Sequence, residues 1–308
     1  MPIRYESTEG ESGAIVWDKP QEIYRFLGSE HKSPKKYLYK YAAITPYLLD
    51  SLSNNYLWFS SPSQLNDPFD SKLYIDYKLD PDEIEKSQLA YTEFDKDLKN
   101  TYRFFKNFAG EKYAVENFAL HRRDLKISRE HSLNLLHNII QMSLKSEVDK
   151  MIGVCSLTED PSSILMWSHY GRNHEGVCLK FKHRSSPMLS TNCFPVRYRK
   201  FVKKFMGEPK CPEDYFSVYF KCVYSKYIDW SYEKEWRLFN HEGAGAGLID
   251  KSDLVGIIFG LNTKQEEISK VVHVVKDGGY PNISFYKAFH DPFRYKIYII
   301  PVELDFAK

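Results

Sequence analysis

The sequence predicts an α+β fold with a mixed or antiparallel central sheet. In residues 80–150, apolar side chains recur three, four and seven positions apart, as they do on one face of a helix. After residue 150 the apolar period falls to two, which is typical of strands. Because the helices are grouped and the strands surround them, the pattern favours α+β over a regular βαβ repeat.

The individual elements can be assigned in chain order. The predicted strands are 37–41, 57–60, 151–156, 176–183, 235–239, 254–261, about 283–287 and 295–303. The predicted helices are 45–54, one starting at 80, 111–122, 128–150 and one from a capping box at Thr263–Glu266 to about 275. The glycine-rich run HEGAGAG, residues 241–247, is predicted to be a flexible loop, because it lacks the spacing of a dinucleotide-binding motif.

The 308 residues are predicted to form an arm and one domain. Residues 1–36 are polar, and we expect them to be a partly disordered arm. Residues 37–308 then form a single α+β domain, long enough to bury a sizeable core, with residues 80–150 as a helical insertion.

The composition narrows the class of protein. The 43 Lys and Arg residues nearly balance 41 Asp and Glu residues, so there is no global basic field of the kind seen in dedicated nucleic-acid binders. The five cysteines are odd in number and lack CxxC spacing, which suggests neither a disulfide framework nor a zinc site, and no metal site is predicted. Without an apolar leader or a run of about 20 apolar residues, we expect a cytoplasmic protein with no membrane partner.

The first candidate site segment is LWFSSPSQLNDPFD, residues 57–70. A hydrophobic strand ends there in turn-forming residues, which hold a loop of definite shape. The polar side chains of Asn66 and Asp67 either serve that turn or face a ligand.

The second candidate segment is MWSHYG, which precedes His174 and Glu175. His169 offers acid–base chemistry near neutral pH, Tyr170 a hydroxyl group and Trp167 a stacking face. The alternative is that the tryptophan and tyrosine are core residues and the histidine a polar neighbour.

The third candidate segment is WSYEKEWR, residues 230–237, which contains a Glu-x-Glu pair. On a strand, Glu235 and Arg237 would share one face and Trp236 would point the other way. The pair is either a plain ion pair or a carboxylate oriented for work on a ribose or phosphate.

Residues 197–204 contain a basic run of five cations in eight positions. It could contact nucleic acid or another acidic protein partner, or it could be a solvated charged face. The run consists of Arg197, Arg199, Lys200, Lys203 and Lys204.

Five motifs occur in the order YLYKY, LWFSSPSQLNDPFD, SILMWSHYGRNHEGVCLKF, WSYEKEWRL and LVGIIFG. This arrangement resembles a bacterial family known only as domain of unknown function 2971, over residues 37–300. The resemblance implies a cytosolic bacterial or phage-related protein and supplies no reaction.

The segments YLYKYAAI and LLDSLSNNYLWFSS also resemble, more loosely, the opening of ADP-ribosyltransferase-like families. The likeness implies that Tyr41 (or Lys40) takes the first-strand place, Ser60 the second, and Glu235 (or Glu233) the catalytic place on a late strand. Lys and Tyr stand where those families usually have His or Arg. The likeness implies NAD as a substrate, and no other cofactor is predicted.

Our hypothesis from the sequence is a nucleotide-directed effector enzyme, ADP-ribosyltransferase-like or NAD-cleaving, that acts as a toxin or in phage defence. One alternative is a nuclease effector that uses His169, His174 and Glu175 with the basic run. Another is a non-catalytic module that binds a ligand or a protein. The site residues predicted to surround one cleft are Glu235, His169 and Arg237 for catalysis and Tyr41, Ser60, Asn66, Asp67, Trp167 and Tyr170 for binding.

Overall fold

The computed structural model describes residues 3–6, 12–15, 35–71, 74–76, 146, 149–183, 185–201, 204–206 and 222–304. The chain divides into two compact units, the first formed by 1–71, 150–201 and 220–308 and the second by 72–149 and 202–219. The predicted helices at 80–150 lie almost entirely outside the described residues, and the division into arm, domain and insertion stays a prediction.

Sixteen strands and four α-helices are described. The strands are β1 Ile3–Glu6, β2 Ser12–Ile15, β3 Tyr37–Ala42, β4 Tyr56–Phe59, β5 Tyr74–Asp76, β6 Gly153–Thr158, β7 Val177–Lys182, β8 Cys193–Pro195, β9 Arg197–Arg199, β10 Lys204–Met206, β11 Ser225–Tyr227, β12 Glu235–Asn240, β13 Gly245–Leu248, β14 Leu254–Phe259, β15 Ser284–His290 and β16 Ile297–Pro301. The helices are α1 Pro46–Asn54, α2 Ile164–His169, α3 Pro187–Thr191 and α4 Gln265–Asp277.

Eight strands of the first unit form one sheet in the order β16-β15-β14-β7-β3-β6-β12-β8. Only β14 and β15 pair in parallel, and the other neighbours are antiparallel. The predicted fold class, α+β with a mixed and mostly antiparallel sheet, is therefore confirmed. Smaller two-stranded pairs are β1–β2, β9–β11 and β4–β13 in the first unit and β5–β10 in the second.

The main core lies on one face of the large sheet, where α1 and α4 pack. It includes Leu38, Leu157 and Trp236, one from each of three neighbouring strands. The opposite face carries a smaller core built around Tyr41 and Trp167. We call the face that carries the main core the helix-covered face. We call the opposite face the polar face, because it also carries the charged side chains described below.

Two local predictions are wrong. Thr263 does not cap α4: the N-cap is Lys264, and the threonine hydroxyl instead donates to the Gly176 carbonyl at 2.8 Å. The glycine-rich run is not a loop throughout, since β13 pairs with β4. A Cβ at Gly247 would lie 2.5 Å from Phe59 Cε2, so glycine is needed there for close packing rather than for flexibility.

None of the helices in the described part of the chain is both long and apolar enough to span a bilayer.

Candidate functional site

Strand β12 places Glu235 and Arg237 side by side on the polar face of the sheet. Trp236, between them, is buried in the main core on the other face. The predicted alternation is confirmed, and both charged side chains are buried, with Arg237 0% and Glu235 3% exposed. Buried charges must be paired and hydrogen-bonded, so their partners define the site.

Arg237 binds two carboxylates at once. Its Nε donates to Glu235 Oε1 at 2.9 Å. Its Nη1 and Nη2 donate to Asp70 Oδ1 and Oδ2 at 2.9 and 2.5 Å, a bidentate geometry that suits the planar guanidinium. Nη1 also donates to the Val223 carbonyl. Asp70 comes from the end of the LWFSSPSQLNDPFD segment, so two of the predicted segments meet here.

Lys226, on β11, forms ion pairs with both glutamates of the Glu-x-Glu pair. Its Nζ lies 2.5 Å from Glu233 Oε2 and 3.2 Å from Glu235 Oε2. The same ammonium lies 4.9 Å from the centroid of the Trp230 ring, a cation–π distance. Glu235 also accepts a hydrogen bond from Ser156 Oγ at 2.6 Å, across the β6–β12 pair.

A chain of hydrogen bonds leads from Glu233 outward. Tyr170, half-buried at the end of α2, donates its hydroxyl proton to Glu233 Oε1 at 2.7 Å. The same hydroxyl oxygen accepts from Asn66 Nδ2 at 2.8 Å, and Asn66 is exposed. The Tyr170 hydroxyl is thus the link between the protein surface and a carboxylate that is only 3% exposed.

We call this assembly the Glu233–Glu235 network. It brings all three predicted segments together within the first unit. Its members are Asn66, Asp70, Ser156, Tyr170, Lys226, Glu233, Glu235 and Arg237.

The network has three carboxylates for two cations, and the pKa values of the two glutamates shift in opposite directions. Burial opposes ionisation of Glu235, but Arg237, Lys226 and the Ser156 hydroxyl outweigh it and lower its pKa to about 2. Burial raises the pKa of Glu233, and Lys226 offsets this only in part. Neighbouring carboxyls with pKa values pushed apart are typical of sites that move a proton.

Two other predicted site residues, Asp67 and Trp167, lie close to network residues in sequence but have different contacts. Asp67 is buried, and its Oδ1 accepts from the Phe69 backbone amide at 2.8 Å, whereas Asp70 takes the contact with Arg237. Trp167 is fully buried, with its Nε1 donating to the Pro161 carbonyl at 2.9 Å.

His169 is exposed, with its ring edge towards Tyr170 at a centroid distance of 6.3 Å. Tyr41 is buried against Trp167, with ring centroids 4.9 Å apart, and its hydroxyl donates to the Asp160 carbonyl. Ser60 forms a two-way backbone bridge with Val154. The assignment of these residues to a site stays a prediction.

Two residues of the nuclease alternative, His174 and Glu175, have their contacts outside the network. His174 stacks over Trp167 and lies 3.3 Å from Ser168 Oγ, and Glu175 pairs with Arg172 at 3.8 Å. Among the described residues, no group of three or more His, Cys, Asp and Glu side chains is arranged to hold a metal ion.

The basic run is only partly described. Arg197 and Arg199 lie on β9 and are half-buried, and Lys200 is exposed. Lys203 lies outside the described residues, and Lys204 begins β10 of the second unit. Its role as a contact for nucleic acid or protein stays a prediction.

The sequence did not predict that Lys226 and Ser156 belong to the site. Lys226 is a single cation on a three-residue strand, and Ser156 is one polar residue in an apolar strand, so neither leaves a pattern in the sequence. Only the strand pairing and the fold show that both face the Glu-x-Glu pair.

Residues 166–238 match the family described as protein of unknown function (DUF2971). The predicted resemblance to this family is confirmed for the segment that carries Tyr170, Lys226, Glu233, Glu235 and Arg237. The DUF2971 segment therefore holds both cations and two of the three carboxylates, while Asp70 and Asn66 come from outside it. No curated protein and no solved structure matches the chain.

Proposed function

We propose that this protein is a nucleotide-directed enzyme that cleaves the bond between nicotinamide and ribose in NAD, with Tyr170 at the reacting end and Glu233 as its proton acceptor. The observation that carries the proposal is the Tyr170 hydroxyl, which connects exposed Asn66 to buried Glu233 at hydrogen-bond distances of 2.8 and 2.7 Å. The sequence analysis favoured Glu235 over Glu233 as the catalytic carboxylate. The geometry favours Glu233, because both Glu235 oxygens are engaged by cations of the network.

The reaction would proceed as follows. The bond between ribose C1′ and the pyridinium nitrogen breaks, and its electron pair leaves with nicotinamide. Water, or an acceptor hydroxyl in a transfer reaction, forms the new bond to C1′ and loses a proton. Tyr170 takes that proton as it passes its own to Glu233, so that ADP-ribose, nicotinamide and one proton are the products of hydrolysis. Burial raises the pKa of Glu233 above its ordinary value, which makes its carboxylate a stronger base than an ordinary one.

In this scheme Glu235 is a positioning residue. It holds Lys226 and Arg237 in place, and Lys226 in turn fixes the orientation of the Glu233 carboxylate. A fixed arrangement of this kind stabilises charge in the transition state at no cost of reorganisation.

The test measures nicotinamide release from NAD by the purified full chain. We expect Glu233→Gln to lower the rate by about a hundredfold or more, the effect typical of losing one preorganised group. Tyr170→Phe should lower the rate as well, because it removes the relay but keeps the ring. Glu242→Gln is the matched control, since Glu242 is exposed and lies outside the network.

Two results would contradict the proposal. One is a parent protein that leaves NAD intact, which would favour the non-catalytic binding module. The other is a Glu233→Gln variant that is folded and releases nicotinamide at the parent rate.

The effector role, as a toxin or in phage defence in the cytoplasm, is part of the same proposal and rests on the family resemblance. If it is correct, expression of the parent protein slows bacterial growth and depletes cellular NAD, and the Glu233→Gln variant does neither. Slow growth with normal NAD would argue against the proposed reaction.

A further inference from the structure

A second cluster of polar and aromatic side chains lies on the polar face of the sheet, away from the Glu233–Glu235 network. Lys180 projects from β7 between two tyrosine rings. Its Nζ lies 4.3 Å from the Tyr37 ring centroid and 4.7 Å from that of Tyr286, and it donates to the Tyr286 hydroxyl at 3.2 Å. Tyr39, half-buried beside it, completes what we call the Tyr–Lys cluster.

The Lys180 ammonium differs from the paired lysines of the described residues. In the described part of the chain this ammonium forms no ion pair, whereas Lys226 pairs with two glutamates and Lys234 with Asp160. A half-buried cation framed by rings and free of carboxylates is suited to bind an anion that carries a flat group.

A glycine on the neighbouring strand lies next to the Tyr–Lys cluster. Gly256 lies opposite Lys180 on β14, and a Cβ there would lie 3.0 Å from Tyr286 Cε2 and 3.3 Å from Lys180 Cδ. The absence of a side chain at this central position lets the tyrosine ring and the lysine stem lie close to the sheet. The hydrogen bond from Lys180 to the Tyr286 hydroxyl links the two groups.

The strand register fixes the position of the cluster relative to the network. Glu235 pairs with Thr158, Thr158 with Tyr39, and Tyr39 with Lys180, so these residues form one row across four strands. Three spacings of about 4.8 Å place the ends of the row roughly 14 Å apart. That is the order of the distance between the two halves of an extended dinucleotide.

We propose that the Tyr–Lys cluster binds the adenosine-phosphate half of a dinucleotide substrate, with Lys180 on a phosphate and the rings of Tyr37 and Tyr286 against the base or ribose. This inference rests on the proposed function, because the nicotinamide half is then the one that reaches Tyr170. Aromatic rings stack on the flat face of a base, and a lysine supplies the charge for the phosphate.

The experiment measures binding of ADP and ADP-ribose, which have no nicotinamide bond to cleave, by calorimetry. We expect Lys180→Gln to weaken binding about tenfold or more, Lys180→Arg to retain it, and Tyr37→Leu to weaken it. Lys264→Gln serves as the control, because Lys264 is exposed at the start of α4. A folded parent that binds neither ligand at millimolar concentration, or a Lys180→Gln variant that binds both as the parent does, would overturn the inference.

The same measurements separate the two proposals. If the parent binds ADP-ribose in a Lys180-dependent way but leaves NAD intact, the Tyr–Lys cluster stands as a nucleotide site and the proposed reaction falls. If NAD is cleaved and Lys180→Gln leaves both KM for NAD and ADP binding unchanged, the reaction stands and the cluster has no part in it.

Discussion

Arg237 and Asp70 form a fully buried bidentate ion pair, with Nη1–Oδ1 at 2.9 Å and Nη2–Oδ2 at 2.5 Å. The pair joins the DUF2971 segment to the turn that follows β4. It explains why a loop of turn-forming residues after a strand matters for the fold: the loop delivers a carboxylate to the centre of the charged network.

Replacing Arg237 is expected to destabilise the protein strongly. Arg237→Met leaves Asp70 without a cation that binds it bidentately, and breaking a buried ion pair in this way typically costs about 3–5 kcal/mol. Arg237→Lys should recover only part of this loss, because one ammonium cannot reproduce the planar fork. Urea denaturation measures the free energy of unfolding. Lys234→Met is the control: its pair with Asp160 is half-exposed and should contribute less than about 1 kcal/mol.

The dependence of stability on pH should have contributions of opposite sign from the two glutamates. The pKa of Glu235 is lowered from 4.5 to about 2, so its contribution is present above pH 4.5 and is lost as the pH falls towards 2. The pKa of Glu233 is raised, so its contribution is greatest below pH 4.5 and is lost as the pH rises through the folded-state value. Unfolding free energies of the parent and Glu233→Gln should therefore diverge with pH. A difference that is constant from pH 4 to pH 8 would contradict the assignment for Glu233.

Asp67 should matter more to stability than Ser61. Asp67→Ala removes the acceptor for the Phe69 amide, and a hydrogen bond to a charged group typically contributes about 1.5–3 kcal/mol. Ser61→Ala removes a hydroxyl contact with Ser63 and the neutral hydroxyl contact of a capping box with Gln64. We expect a lower melting temperature for the aspartate variant than for the serine variant, and equal melting temperatures would count against a structural role for the aspartate.

Gly247→Ala tests the close packing of β13 on β4. The new methyl group would lie 2.5 Å from Phe59 Cε2, and the Phe59 side chain is fully buried and has little room to move. Overpacking of this kind typically costs about 1–3 kcal/mol of unfolding free energy. Ala246→Ser, at the exposed neighbouring position, should leave the urea midpoint unchanged.

The sequence predicted the fold class and most strands of the large sheet because alternation of apolar and polar residues reports directly which face is buried. The same rule placed Glu235 and Arg237 together. The sequence predicted that Asp67 would be held by local amides or by a cation such as Arg237; the local amide is found, but Asp70 takes Arg237, because the path of the turn decides which carboxylate reaches the guanidinium. It also did not identify Lys180 as part of a cluster, because that depends on which strands become neighbours of β7.

The prediction for the glycine-rich run was wrong for a different reason. Glycine is common in loops and uncommon in strands, so HEGAGAG was predicted to be flexible. In the structure part of it is strand β13, which pairs with β4. The ring of Phe59 occupies the space that a side chain at Gly247 would need, so glycine is required there for packing. Local propensity contains no information about such a neighbour.

The ion pair of Asp70 with Arg237 also bears on how the chain folds. The two residues are 167 positions apart, so forming the pair closes a very long loop, and the entropy of closure must be lost before the contact contributes any stability. Contacts of this kind tend to form after the main folding barrier. Arg237→Met is therefore expected to accelerate unfolding while leaving the refolding rate nearly unchanged. The charged network would then form last during folding, and the rate at which it breaks would set the lifetime of the native state.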